Sequence, residues 1–198
     1  MLHFIDRTLR ALSLSLFLAA PALAAPGDIY VDDDAVPGGD GTSWATAYMH
    51  LQDGILASVA GDTIHVGQGT YQPDLSEGNP TWVGNRYASF RISHSLAVMG
   101  GYAGLGAVDP NDNAPDIYVT TLTGDLLGND PGLLDSTNVD EFDPLRLDNS
   151  AHVVTVLTST AVILAALDGL TIEGAFAYYK DPTGGTTSGG SGGTLHMF

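Results

Sequence analysis

The sequence reads as an all-β fold with one amphipathic helix near the amino end. Three observations carry that reading. Short stretches of two-residue alternation recur between positions 28 and 172, Gly and Asp punctuate them, and one segment alone repeats its apolar residues at steps of three and four.

Each element follows from a local signal. Residues 1–24 carry Arg7 and Arg10, an apolar run over 11–20, and Ala22-Leu23-Ala24. That is a basic region, a short apolar region and a small-residue cleavage site, so a signal peptide cut after Ala24 is expected. Asp28–Val31 reads as a strand, followed by an Asp/Gly turn region over 32–41. Thr42 or Ser43 is the expected N-cap of a helix over 44–60. Tyr48, Leu51, Ile55, Leu56 and Val59 then share one face of about four turns, and Gly61-Asp62 stops them. Beyond Gly61 the period changes to two. Strands are expected at 63–66, 90–92, 96–99, 117–119 with 121–123, 152–157, 162–166 and 167–172, with 67–71 as a turn. Polar loops over 109–116 and 126–150 interrupt them, and the Gly/Ser/Thr-rich tail from 182 reads as a loop.

Sandwich, barrel and parallel β-helix all fit such a series of strands. Hairpin signals are poor, because the connections are single Gly corners or loops of about 20 residues or more. A solenoid accommodates both, since each rung stacks its inward Ile, Val and Leu on the next while loops leave from the corners.

Charge excludes several partners. The chain has 6 basic and 23 acidic residues, net −17, and no cysteine. After residue 24 the basic residues are Arg86, Arg91, Arg146 and Lys180. Four cations neutralise few phosphates, so nucleic acid is excluded as a partner, and acidic lipid and polysaccharide surfaces are disfavoured. Disulfides and thiolate metal sites are ruled out. No segment after the leader reaches 18 uninterrupted apolar residues, so no transmembrane span is expected there.

Several short motifs occur in a fixed order: Ile29-Tyr30-Val31-Asp32, Gly41-Thr42-Ser43-Trp44-Ala45, Leu51-Gln52-Asp53, Gly61-Asp62-Thr63-Ile64-His65-Val66 and Gly69-Thr70-Tyr71. Val98-Met99-Gly100-Gly101-Tyr102, Thr121-Leu122-Thr123-Gly124-Asp125, His152-Val153-Val154 and Leu167-Asp168-Gly169-Leu170-Thr171-Ile172 follow. In this order they resemble the amino-terminal part of secreted bacterial right-handed parallel β-helix proteins of the pectin lyase-like superfamily. That group includes relatives of the polymorphic outer-membrane proteins and proteins with a C-terminal anchor. The resemblance implies a partial right-handed parallel β-helix whose helix caps the first rung. It implies four divisions: signal peptide 1–24, strand and capping helix 25–61, first rungs with acidic insertions 62–177, and a tail over 178–198 leading to rungs beyond a truncated end. The function expected is an exported structural or adhesion module at the cell surface, with glycan contact and self-association through the last rung. The alternative is a polysaccharide lyase, glycosidase or carbohydrate-binding module on the same scaffold.

The candidate chemistry is sparse. Asp109, Asn111 and Asn113 place oxygens at steps of two, as a calcium loop does, although Ala114 and Thr120 break the EF-hand pattern. Asp32-Asp33-Asp34 is a second calcium candidate. Glycosidase chemistry needs two carboxylates at a set spacing, and Asp125 and Asp168 are the pair considered. Lyases of the resembled group use calcium and a basic residue, and the four cations are scattered along the chain. Residues 189–193 match G-x-S-x-G without the strand and helix a nucleophile elbow requires. His50, His65, His94, His152 and His196 lack zinc-protease spacing. Trp44, Trp82, Tyr87, Tyr102, Tyr178 and Tyr179 are candidates for a sugar platform, or for stacking at corners and under the cap.

Overall fold

The computed structural model describes residues 25–81, 84–130, 144–157, 162–177, 179–180, 186–187 and 195–197. The leader with its cleavage site, Trp82, Tyr178 and the 189–193 motif lie outside these, and most of the 182–193 tail does too. The described residues form β1 (Asp28–Val31), β2 (Thr63–Gly67), β3 (Gly69–Tyr71), β4 (Phe90–Ile92), β5 (Leu96–Tyr102) and β6 (Thr120–Thr123). They continue with β7 (Val154–Val156), β8 (Ala165–Asp168), β9 (Leu170–Glu173), β10 (Tyr179–Lys180), β11 (Thr186–Thr187) and β12 (Leu195–Met197). One α-helix, α1 (Leu51–Ala57), and two single 3-10 turns (Trp44–Thr46 and Pro144–Arg146) complete the list.

Three parallel sheets hold most strands, in the orders β1-β2-β5-β8, β3-β6-β9 and β12-β7-β4. Successive strands enter these sheets in rotation: β2, β3, β4, then β5, β6, β7, then β8 and β9. The exception to parallel pairing is the short β10–β11 ribbon, which is antiparallel. The protein is therefore a β-rich fold of parallel sheets with few helices.

Alternation decides which side chains face inward. Across the first sheet Ile29, Ile64, Val98 and Leu167 stand opposite one another. In the second, Leu122 faces Tyr71 and Ile172. In the third, Val154 faces Phe90 and Val156 faces Ile92. Ile64, Val66, Leu96, Val98, Leu122, Phe90, Ile92, Val154 and Val156 join a single buried cluster. Leu51 and Ile55 of α1 belong to it, and α1 packs against β1, β2 and β4.

Corners between sheets are glycine stacks. A Cβ at Gly100 would stand 2.5 Å from the Gly169 carbonyl oxygen, and one at Gly169 would stand 2.5 Å from that of Gly100. Gly169 also has φ +65°, which favours glycine. It splits 165–173 into β8 and β9, so the chain leaves the first sheet for the second there.

The helix is much shorter than the 44–60 span expected. Tyr48 donates its N–H to Tyr30 O (3.0 Å) and accepts from Asp32 N–H (2.9 Å). That bridge to β1 takes the Tyr48 backbone out of any helix. Leu56, expected on the buried face, is 84% exposed, because α1 turns Leu51 and Ile55 inward instead. Ser43 stands at the N-cap position of the short 3-10 turn Trp44–Thr46 without a side-chain capping bond: its hydroxyl meets Thr46 Oγ1 (3.1 Å), while Thr42 donates to Asp40 (2.8 Å). Residues 69–71 are a strand rather than part of a turn, since β3 pairs in register with β6. Ile117 and Val119 are exposed; Ile117 and Tyr118 donate to Ala114 O in a turn, and the strand starts at Thr120.

Candidate functional site

Loop 84–89 and segment 150–153 are stitched into one wall. Ala151 N–H donates to Arg86 O (2.8 Å), Ser150 Oγ to Ala88 O (2.6 Å), and Phe90 N–H to Val153 O (2.8 Å). Arg86 lies across this seam. Its Nη1 donates to Leu147 O and its Nη2 to Phe176 O, each at 3.0 Å. Beside it the parallel β4–β7 register sets Arg91 directly opposite Thr155. Phe90 and Ile92 point into the core, so alternation turns Arg91 outward. Thr155 Oγ1 donates to Ser89 Oγ (3.0 Å).

The result is an open cleft of about 340 Å³ lined by Arg86, Tyr87, Ser89, Arg91, Ala151, His152 and Thr155. It gathers two of the four cations that follow residue 24, and among the described residues no carboxylate lines it. The two cations come from one segment, Arg86 and Arg91, and parallel pairing supplies the opposite wall by setting Thr155, 64 positions away, beside Arg91. The signal was present in the alternation of Phe90-Arg91-Ile92, but the register with 154–156 was not. Of the other two cations, Arg146 is buried with its guanidinium 4.9 Å from the Phe176 ring centre, and the Lys180 side chain lies outside the described residues.

A second grouping covers the outer face of the first sheet. Tyr30, His65, Met99 and Asp168 form one row across four strands. Tyr30 stacks on His65 at 5.3 Å, His65 meets Tyr102 edge-on at 5.1 Å, and Trp44 contacts Tyr30 (5.0 Å) and Tyr102 (5.7 Å). Asp28 Oδ1 lies 3.0 Å from His65 Nε2. Burial pushes the Tyr102 phenol up, and the charges of Asp28 and Asp168 add to this. Of the aromatic residues singled out in the sequence, Trp44 and Tyr102 thus meet, and Tyr87 stands apart in the cleft.

The aspartates of 32–34 place one oxygen each within 4.8 Å of one another. Asp32 is buried between Gly67 and Gly104, where a Cβ on either glycine would strike its carboxylate. It accepts from Leu105 N–H (2.7 Å) and Asp34 N–H (3.0 Å). Asp33 accepts from Thr70 N–H (2.9 Å). Burial raises both carboxyls above the usual range, and these backbone donors offset part of the rise. Their hydrogen bonds tie the turn after β1 to the strands that follow.

The remaining candidates go to separate places. Asp109 Oδ1 accepts from Asn111 N–H (3.0 Å), Asn111 Oδ1 accepts from Trp44 Nε1–H (2.9 Å), and Asn113 Nδ2 donates to Gly100 O (2.9 Å). Asn111 and Asn113 thus tie the 104–116 loop to Trp44 and to β5, while the Asp109 bond stays within the loop. Asp125 follows β6 and accepts from Asn129 N–H and Asp130 N–H. Asp168 ends β8, just before β9, and accepts from Gly169 N–H. β6 and β9 pair in parallel, so Asp125 and Asp168 flank opposite ends of their ladder and do not face each other. Among the described residues no helix is long and apolar enough to cross a membrane.

Comparison with protein-family models, with curated proteins and with solved structures finds no match.

Proposed function

We propose that the chain is an exported, non-catalytic structural or adhesion-type module. In this reading it is the capped amino-terminal part of a right-handed parallel β-helix, made from a precursor cut after Ala24. The rotation of strands through three parallel sheets carries the reading. Each return to the first sheet sets an inward residue on its predecessor, Val98 on Ile64 and Leu167 on Val98, which is the stacking a solenoid needs. α1, with Leu51 and Ile55 in the core beside β1, β2 and β4, sits where a lid over the first turn belongs. The polar side chains of the loops mainly hold backbone, as a scaffold requires. The chain from Ala25 onward is incubated with a panel of neutral and acidic glycans. No release of new reducing or unsaturated ends is expected, and turnover of any glycan would overturn the proposal. Amino-terminal sequencing of exported material should start at Ala25; material starting at Met1 would sink the export reading.

A carbohydrate-binding module on the same scaffold is the second reading. The half-buried Tyr30, His65 and Tyr102 rings on the outer face, with the buried Trp44 packed against both tyrosines, favour it, since partly exposed aromatic rings offer a flat apolar surface to a sugar. Retention on a glycan array that Tyr102→Ala abolishes would support it.

A further inference from the structure

We propose that the cleft between loop 84–91 and segment 151–155 binds a small organic ligand through a single carboxylate group. The inference does not rest on the scaffold role. Its first support is Arg91, exposed on β4 and making no hydrogen bond or ion pair with any described residue. A guanidinium is a planar fork that matches a carboxylate with two parallel N–H···O bonds.

The second support is the neighbouring charge. Both Arg86 Nη atoms donate to carbonyl oxygens, so this guanidinium is held still beside the cleft and contributes field rather than a free fork. The ligand therefore meets one available fork and one fixed positive charge. Among the described residues no carboxylate lines the cleft, so none of them competes for these two charges.

The net charge of −17 sets the class of anion. A dianion is repelled by the rest of the molecule about twice as strongly as a monoanion, and two cations do not offset that. A monovalent carboxylate suits the site better than phosphate or sulfate. The body of the ligand is set by the remaining walls. Tyr87, 85% exposed, and Ala151 offer apolar surface, while Ser89 and Thr155 are bonded to each other. A volume of about 340 Å³ holds a ring or short chain behind the carboxylate.

The test is an amide NMR titration of the isotope-labelled chain with benzoate, acetate, sulfate and phosphate at equal ionic strength. Benzoate is expected to give saturable shifts confined to residues 84–91 and 150–155, with acetate weaker and the dianions weaker still. Arg91→Gln should weaken benzoate about tenfold or more, the loss of one charged hydrogen-bonding partner. Arg91→Lys should keep part of the binding, and Tyr87→Ala should bring benzoate down to the level of acetate. Sulfate or phosphate binding as tightly as benzoate would overturn the carboxylate assignment. Unchanged binding in Arg91→Gln, or no saturable shift with any anion, would overturn the site.

Discussion

Val98 and Leu167 occupy the same inward row of the first sheet, and their surroundings differ. Val98 lies between Ile64 on one side and Leu167 on the other and is almost completely buried. Leu167 has Val98 on one side, and it is only partly buried, as are Ile163, Ala165, Leu170 and Ile172 along β8 and β9. The alternation is equally regular in both regions. Burial here is therefore a property of strand-on-strand neighbours rather than of the strand itself, and stability should be graded across the first sheet from β2 and β5 toward β8.

Four measurements press on that comparison. Ile64→Ala removes a fully buried side chain flanked on both sides, and a loss of about 3–4 kcal/mol in denaturant unfolding is expected. Gly169→Ala places a methyl group against the Gly100 carbonyl at a backbone angle that disfavours it, with an expected loss of about 2 kcal/mol. Leu167→Ala, in the same row as Ile64, should lose only about 1 kcal/mol, since its site is half open and leaves no closed cavity. Equal losses at Ile64 and Leu167 would break the comparison.

The smallest effect is that of pH. Burial raises the Asp32, Asp33 and Asp74 carboxyls above their usual value of 3.8. The folded state thus holds their protons more tightly than the unfolded chain does. Their stabilisation is full below that ordinary value and is lost as pH rises through the raised ones. Lowering pH from 7 toward 4 should lift the melting temperature by a few degrees, helped by relief of the net negative charge. Asp40 works the other way. Hydrogen bonds from Thr46 and Thr42 hold its carboxyl down at about 2, so its contribution is lost as pH falls from 3.8 through that value. A melting temperature that falls steadily from pH 7 to 4 would contradict this.

Most of the strands were legible, because a period of two needs no tertiary information. Ile64 with Val66, Phe90 with Ile92, and Leu96 with Val98 announce their buried faces directly. The helix was over-read because an apolar step of three or four at Tyr48 looks helical, whereas its backbone is claimed by Tyr30 and Asp32 from another segment. β3 was hidden among glycines, and only its pairing with β6 makes it a strand. Of the cleft, only the outward turn of Arg91 between Phe90 and Ile92 was legible. Arg91 and Thr155 meet through register, and register is set by the lengths of loops that alternation does not encode.

The row through the first sheet also sets an order of assembly. Ile64 and Val98 are 34 positions apart, and Val98 and Leu167 are 69 apart. Doubling the loop adds only about 0.6 kcal/mol of closure entropy. The larger obstacle is that β8 finds no surface to join until β5 is in place. Assembly of this sheet should then proceed as a ratchet, β5 on β2 and β8 on β5, in the same direction in which a ribosome delivers the polypeptide.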